Sequence, residues 1–468
     1  MLDLLLRGAR VVDPLNHLNG IADIGIADGH IAAVGRDLDE AARETIDLTG
    51  LVVQPGIIDS HVHLGTMWGS PFGHRMLARA GVTTALDMAG PLDDVLEHIP
   101  AYGAGLNIAI LQFASPPFTF QTNAPSRSEM QTLIERSLDD GALGVKLLGG
   151  HYPLTPAVSA TLVQTALEHR AYVAWHAGTS EHGSNIEGMR EAVEMAGGHP
   201  LHLAHINAYC RGAIRNDIAE AQEAIELLKT NPNIICESYI SPKNGTRLTC
   251  SEDGRIQSKV TGNCLRAFGF SEDRAGVRAA LLAEKAFAVY DAGGYSELMT
   301  GERALEYWEA HNTDVGGSFN INPPIPRILL AQAKRADSSF VVDALSTDGG
   351  CIPRNVLLSQ GLSLVKLDVL SLTEYAQKTS LNPARMLRLK QKGHLSVGAD
   401  ADITVYNLAT QSPVATFVAG RKVLWQGELL GHGATVICTE RGEASLKRRA
   451  LRTIVVDPAA PIERVRAL

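Results

Sequence analysis

The sequence predicts an α/β fold: a (β/α)8 TIM-like barrel with a small β-sandwich domain formed by both termini. Two observations predict it. Strand-like runs alternate with helical patterns through the middle of the chain. Both ends share a pattern of short apolar runs and turn residues that is typical of antiparallel β structure. A chain of 468 residues, 45% hydrophobic and 20% charged, can also bury one large core and carry an accessory domain.

The barrel is predicted over residues 56–390. Apolar or β-branched runs alternate there with helical patterns such as ATLVQTALEHR, and this alternation favours a parallel sheet. Eight runs in one domain of this length predict a closed barrel, whose strands are apolar because both faces are buried. The runs are IIDSHVHLG, VTTALDMAG, NIAILQFA, ALGVKLLGG, AYVAWHAG, LHLAHINA, NIICESYI and SFVVDALSTDG.

The β-sandwich is predicted from residues 1–55 together with residues 391–440. Short apolar runs alternate with turn residues in both segments. The dipeptide Asp28–Gly29 between two of these runs predicts a β-hairpin turn. Two β-rich ends around one long middle predict that the ends meet in a single small sheet domain. Residues 441–468 remain as a C-terminal tail.

One segment, residues 241–326, interrupts the alternation after the seventh run. It begins with the polar, turn-rich stretch SPKNGTRLTCSEDGRIQSKVTGNC and continues with two helical patterns. A long excursion from the C-terminal end of a barrel strand lies over the barrel mouth, which predicts a lid-like insertion. A structural cap or an oligomer contact explains the segment equally well.

Composition excludes several function classes. Lys plus Arg number 42 against 51 Asp plus Glu, for a net charge of -9, and there is no basic block, so we expect no nucleic-acid partner. No apolar run approaches the ~18–20 residues that span a bilayer, and the N-terminus does not resemble a signal peptide, so we expect no membrane partner. The six cysteines are scattered without a CxxC pair. We expect a cytoplasmic homo-oligomer that acts on a small-molecule substrate.

Six residues near the ends of the predicted strands could hold metal. An HxH pair ends the first run, where a two-residue spacing puts both imidazoles on one strand face, ~6–7 Å apart. Each residue alone is more often structural, but the C-terminal ends of barrel strands converge on one face. The ordered set therefore predicts a metal centre at that face. Its members are His61, His63, Lys146, His176, His205 and Asp348.

The motifs that carry these residues resemble the amidohydrolase superfamily with a two-metal centre. They are HVH after PGIID, the GVK strand, WHAG, AHIN and STDGG, and the resemblance covers nearly the whole chain except the insertion and the tail. The stretch from GALGVKLLGGHYPLTP to LHLAHINA is most similar to N-acyl-D-amino-acid deacylases. One departure is Lys146, because many D-aminoacylases carry a small residue there and a cysteine ligand after the first strand. Lys146 matches the dihydroorotase, hydantoinase and isoaspartyl dipeptidase pattern.

The resemblance implies a binuclear centre with a modified lysine. Lys146 would be N6-carboxylated by carbon dioxide and bridge two divalent metal ions. His61 and His63 would hold one metal with Asp348, and His176 and His205 would hold the other. Imidazole and carboxylate ligands suit zinc first, with iron, manganese or nickel as alternatives. The two cations would activate a bridging water, as hydroxide, for attack on an amide carbonyl, and Asp348 would be the catalytic proton shuttle.

Five further residues are candidates for substrate binding because they follow the predicted ligands in sequence. Arg354 is the nearest candidate for a substrate carboxylate, and Tyr152 could donate to a carbonyl or simply pack in a loop. The set is His151, Tyr152, Asn207, Tyr209 and Arg354.

Three functions remain open from the sequence. The first is hydrolysis of the amide of an N-acyl-D-amino acid or a related acylated amine. The second is a cyclic amidase of hydantoinase, dihydropyrimidinase or dihydroorotase type. The third is a non-catalytic barrel kept as an assembly module, which the presence of all six ligands disfavours.

Overall fold

A computed structural model describes residues 1–149, 154–462 and 464. The first five strands belong to a β-rich domain. β1 pairs antiparallel with β2, and its two halves pair in parallel with β4 and β5. The strands are β1 Leu2–Asp13, β2 Leu18–Ala27, β3 His30–Gly35, β4 Ala42–Asp47 and β5 Val52–Pro55.

Seven parallel strands then follow in sequence order around one curled sheet, each paired with the next. They are β6 Ile57–His63, β7 Val82–Ala89, β8 Ala104–Ala114, β9 Gly144–Leu148, β10 Tyr172–His176, β11 Leu201–Leu203 and β12 Ile234–Tyr239. Helices lie between them: α1 Gly73–Arg79, α2 Leu92–Tyr102, α3 Arg127–Asp140, α4 Pro156–Glu168, α5 Ile186–Ala196 and α6 Asp217–Thr230. Every residue of β7 is buried, as expected for a strand covered on both faces.

The segment after β12 forms a unit of its own with a separate small sheet and core. The sheet has the order β13-β16-β14-β15, and the core contains Trp308 and Phe319. Its strands are β13 Thr246–Arg247, β14 Ala286–Asp291, β15 Ser296–Met299 and β16 Gly316–Phe319, and its helices are α7 Lys259–Ala267, α8 Arg274–Leu282 and α9 Gly301–Ala310.

The chain then returns to the barrel through α10 Pro324–Gln332. β17 Ala344–Ser346 pairs with β12, and β18 Gly349–Gly350 pairs with β6, so the eighth strand region joins the seventh to the first. The predicted α/β barrel class is confirmed by this parallel curled sheet. Helices α11 Leu357–Lys366, α12 Leu372–Ala376 and α13 Asn382–Met386 follow.

The remaining strands complete the β-rich domain. β19 Ile403–Asn407, β20 Ser412–Val418, β21 Arg421–Trp425 and β22 Glu428–Leu429 extend the first sheet through pairing of β19 with β5. A hydrophobic core shared by both termini contains Leu4, Ile24, Val53, Ile403 and Phe417. The N- and C-terminal segments therefore meet in one β-rich domain because their apolar faces bury each other.

The last described residues extend the barrel sheet. β23 Gly433–Cys438 pairs in parallel with the first half of β8 and with β24 Arg452–Val455, and α14 Glu440–Arg448 lies between them. Residues predicted as a tail therefore contain a helix and a strand. Short apolar strands with little alternation carry a weak sequence signal. Within the described parts of the chain, no helix has the length and apolar character to cross a bilayer.

A second fully buried lysine, Lys378, lies in a π-helical turn, Gln377–Leu381. Its Nζ donates to the carbonyl of Val342 at 2.6 Å and lies 4.1 Å from the centre of the Phe340 ring. Burial lowers the pKa of Lys378 to about 7, although the charge of Asp343 opposes the shift.

We expect this lysine to make folding stability depend on pH. Between pH 7 and about 10 the unfolded lysine holds a proton that the folded one has lost, so stability rises with pH in this window. Raising the pH from 7 to 9 should stabilise wild type by about 2 kcal/mol more than Lys378→Met. Urea unfolding of both proteins at the two pH values measures this, and an equal change in both would contradict it.

Candidate metal centre

The predicted ligands converge at the C-terminal ends of the barrel strands. His61 and His63 end β6, Lys146 lies within β9, His176 ends β10, and His205 follows β11. Asp348 lies between β17 and β18. All six side chains are buried or nearly so, with at most 8% of each residue exposed.

Three of these residues form a compact donor cluster. The ligand atoms of His61, His63 and Asp348 all lie within 4.8 Å of one another. Asp348 Oδ1 is 2.9 Å from His63 Nε2 and 3.4 Å from His61 Nε2. Lys146 Nζ lies 3.0 Å from His61 Nε2, so the lysine directly borders the cluster.

The other two imidazoles face each other beside this cluster. His205 Nε2 is 3.0 Å from His176 Nδ1, and the His205 ring stacks on that of His61 with centroids 5.1 Å apart. His176 Nε2 is also 2.7 Å from the hydroxyl of Ser184. The histidines of three different strands are therefore in contact around one volume.

Two local backbone features bring the strands this close. Gly144, two residues before Lys146, packs so tightly on β10 that an added Cβ would lie 1.9 Å from the carbonyl oxygen of Tyr172. His205 and Asp348 both have left-handed backbones, with φ of 37° and 52°. Such conformations are costly for non-glycine residues and cluster at functional sites.

One residue of the site, Glu237 on β12, is absent from the sequence-based candidates. Its Oε1 lies 2.7 Å from His61 Nδ1 and accepts the backbone N–H of His205 at 2.6 Å. Its Oε2 accepts the hydroxyl of Ser346. A carboxylate that fixes the outer nitrogen of a ligating histidine sets its tautomer and orientation. Glu237 is the only charged residue in the run NIICESYI, and this was the available signal.

The electrostatics favour neutral histidines and an ionised aspartate. Burial lowers the pKa of His63, and it holds the pKa values of His61 and His205 well below their usual range. Burial alone would raise the pKa of Asp348, but Arg354, His61 and His63 outweigh it and hold that pKa well below its usual range. Burial lowers the pKa of Lys146 to about 8, against the opposing charges of Asp348 and Glu237.

Three of the five predicted substrate residues, Asn207, Tyr209 and Arg354, do not line the cavity beside the cluster. Tyr209 is fully buried and its hydroxyl accepts the N–H of Ala177 at 3.0 Å, while Asn207 accepts the N–H of Tyr239 at 2.9 Å. Both hold the loop that follows β11. His151 and Tyr152 lie outside the described residues.

Arg354 is engaged within the protein. Its Nη2 lies 2.6 Å from Asp348 Oδ2, and its Nε donates to the Asp348 carbonyl at 2.6 Å. Its Nη1 donates to the Lys243 carbonyl at 2.9 Å, and only 3% of the residue is exposed. The charge of Arg354 is therefore already compensated by the candidate catalytic carboxylate.

A cavity of about 320 Å³ opens beside the cluster. His176, His205 and Asp348 line it from the barrel, and helix α7 lines it from the segment after β12. Its volume is at the lower end of the range for small-molecule sites. The segment inserted after β12 thus forms part of the wall beside the candidate centre.

The donor set fits divalent metal. Three imidazoles whose lowered pKa values favour the neutral form, the imidazole of His176 and one ionised carboxylate are ligands that zinc takes, and Lys146 lies beside them. Within the described chain, His63 Nδ1 and His205 Nδ1 are buried polar atoms without a hydrogen-bond partner. Such a concentration of nitrogen donors in a buried site is costly unless a ligand uses it. Barrel and site together define a candidate metallohydrolase.

Comparisons with known proteins agree with this class. Residues 324–424 match the Amidohydrolase family. An allantoinase of Deinococcus radiodurans is 27% identical over 92% of this chain and 97% of that protein. A dihydroorotase of Pelotomaculum thermopropionicum is 25% identical over 91% of this chain and 95% of its own length. The crystal structure of a D-aminoacylase superposes with a TM-score of 0.67 at 18% identity, covering 93% and 99% of the two chains.

The resemblance predicted from the sequence is thereby confirmed, because the chain contains an Amidohydrolase family domain, matched over residues 324–424, and its relatives and structural neighbours are of the expected kinds. It is an enzyme of that class. A further structure of D-aminoacylase concerns its binuclear metal centre, so a structural neighbour has such a centre.

Proposed function

We propose that this protein hydrolyses a non-peptide carbon–nitrogen bond, the amide of an N-acyl-D-amino acid or a related acylated amine, with two divalent metal ions, zinc first. The observation that carries the proposal is the buried cluster of His61, His63 and Asp348, whose ligand atoms lie within 4.8 Å beside a small-molecule cavity. Lys146 and the pair His176 and His205 complete the ligand set of the proposal.

In the proposed reaction, Lys146 and Asp348 have different roles beside the metal ions. Bound here, two divalent cations would lower the pKa of a water molecule and polarise the scissile carbonyl. Lys146 would serve as a ligand after its neutral amine adds carbon dioxide, which forms an N–C bond and releases one proton. The ionised Asp348 would accept a proton from the attacking water and pass it to the leaving nitrogen, since an amine leaves poorly unless protonated.

A cyclic amidase is the second candidate. The allantoinase and dihydroorotase relatives cover nearly the whole chain and favour it, and Lys146 matches the pattern of such enzymes. The chemistry at the carbonyl is the same in both cases, so the ligand set supports both. The substrate's shape and charge distinguish them.

Metal removal and a substrate panel test the proposal. Chelation followed by gel filtration should reduce hydrolysis to background, and zinc or manganese should restore it, because the ligand set would activate water only with metal present. The panel contains N-acyl-D- and N-acyl-L-amino acids, hydantoins and dihydropyrimidines. Metal content is measured in the same samples. A protein that holds no stoichiometric divalent metal after growth with zinc would contradict the proposed catalysis.

A further inference from the structure

The cavity beside the metal cluster has an uneven charge lining. Arg211, Lys259 and Arg266 line it, whereas Asp348 is the one carboxylate among its lining residues in the described chain. Asp348 is paired with Arg354. The cavity wall therefore carries more positive than negative charge.

The three cations of the cavity wall differ in whether a carboxylate pairs with them. Arg266 forms a two-point ion pair with Glu272, at 2.7 and 2.6 Å, which compensates its charge. Lys259 is exposed on α7. Arg211 is half-buried, and among the described residues no carboxylate oxygen lies within the 4.0 Å of an ion pair with its guanidinium, which instead donates to neutral acceptors.

Arg211 is held in place by neutral acceptors. Its Nε donates to Asn322 Oδ1 at 2.8 Å, and its Nη2 donates to the hydroxyl of Tyr239 at 2.6 Å. Asn322 is fixed in turn by its donations to the carbonyls of Ser241 and Lys243, at 3.2 and 3.1 Å. The guanidinium is thus oriented before any ligand arrives, which lowers the entropy cost of binding.

Arg211 is connected to the candidate metal cluster through the loop that begins at His205. Arg211 follows His205 by six residues on the same loop, and the ring of Tyr239 lies 6.1 Å from that of His205. An amide at the metal cluster and an anionic group at Arg211 would therefore occupy one cavity of about 320 Å³. A partly desolvated arginine without a counter-ion favours a carboxylate, which it can bind through charge-assisted hydrogen bonds.

We propose that Arg211 binds the carboxylate of the substrate and selects acidic over neutral amides. This inference rests on the proposed function and deepens it, because it moves the carboxylate anchor from Arg354, which is paired with Asp348, to an arginine that forms no ion pair with a described carboxylate. Lys259 lies at the same wall and adds to the positive potential. Substrates that carry no carboxylate are expected to be poor.

The test uses two pairs of compounds that differ in the carboxylate. N-acetyl-D-leucine is compared with its carboxamide, and dihydroorotate with dihydrouracil. Wild type should prefer the acid of the pair it accepts, and Arg211→Gln should raise the KM for that acid by about 10- to 100-fold. The kcat/KM for the neutral partner should change less than about threefold.

Two further variants separate charge from structure. Arg215→Gln removes another arginine of the same loop, which pairs with Glu223 at 2.5 Å and does not line the cavity, so it should leave the acid preference unchanged. Arg211→Lys keeps the charge and should retain part of the preference. Equal losses for acid and neutral compounds in Arg211→Gln, or no loss, would overturn the anchor.

Calorimetric binding of the same four compounds to the metal-free protein distinguishes this inference from the proposed function. Carboxylate-dependent binding that disappears in Arg211→Gln supports the anchor even if no compound is hydrolysed, in which case the proposed function alone fails. Binding by wild type that is equal with and without the carboxylate would overturn the anchor even if hydrolysis is observed.

Discussion

Asp348→Asn is expected to lower kcat by about 10²- to 10⁴-fold, the range that general acid–base catalysis contributes. Asparagine has the shape of aspartate but cannot hold the transferred proton. Five of the six proposed ligands remain, so much of the metal should be retained. Steady-state kinetics and metal analysis of the same preparation measure both effects.

The same substitution leaves the buried Arg354 without its carboxylate, so some loss of stability is expected as well. Asp402→Asn is a matched control, because Asp402 is a buried carboxylate paired with Lys392 at 2.6 Å, on the side of the β-rich domain. It should lower the melting temperature and leave kcat near that of wild type. Comparable activity in wild type and Asp348→Asn would remove the shuttle role.

Lys146→Met is expected to reduce kcat/KM by about 1000-fold, or ~4 kcal/mol of transition-state stabilisation, and to lower the metal content. Methionine fills a similar volume but cannot become carboxylated, so one of the proposed metal ligands would be lost. Growth or incubation with ¹³C-bicarbonate should give a carbamate carbon resonance in wild type that is absent from the variant.

Lys378→Met is the control for this experiment, because Lys378 is the other lysine that the structure buries completely. Its Nζ lies against the ring of Phe340 and donates to the carbonyl of Val342, so its loss should leave the carbamate resonance and the metal content unchanged. A Lys146→Met protein that keeps two metals and its activity would show that Lys146 is not a ligand.

Much of the fold follows from local sequence patterns. Barrel strands buried on both faces must be apolar, so the eight runs mark β6 to β12 and β17, and the Asp28–Gly29 turn lies between β2 and β3 as its chemistry indicates. The shortest strands cannot be predicted from local sequence patterns in this way. β24 is only four residues long and is stabilised mainly by its pairing with β23, a partner outside its own segment.

Local sequence patterns also do not predict which side chains are available to bind substrate. Tyr209 and Arg354 are polar and follow ligands, which predicts contact with substrate, yet the folded chain uses one to hold Ala177 and the other to neutralise Asp348. Arg211 has no sequence motif, and its uncompensated charge depends on which carboxylates lie near it in space. Whether a carboxylate lies close enough to pair with Arg211 depends on how segments that are far apart in the sequence pack together.

By itself the sequence determined the barrel class and the six candidate ligands, because strand periodicity and strand ends are local properties and strand ends in a barrel converge by geometry. Only the tertiary structure decided that Glu237 supports His61, that Arg354 is occupied by Asp348, and that Arg211 lines the cavity without an ion pair to any described carboxylate. Those features depend on which charges are buried together, and burial sets their energies.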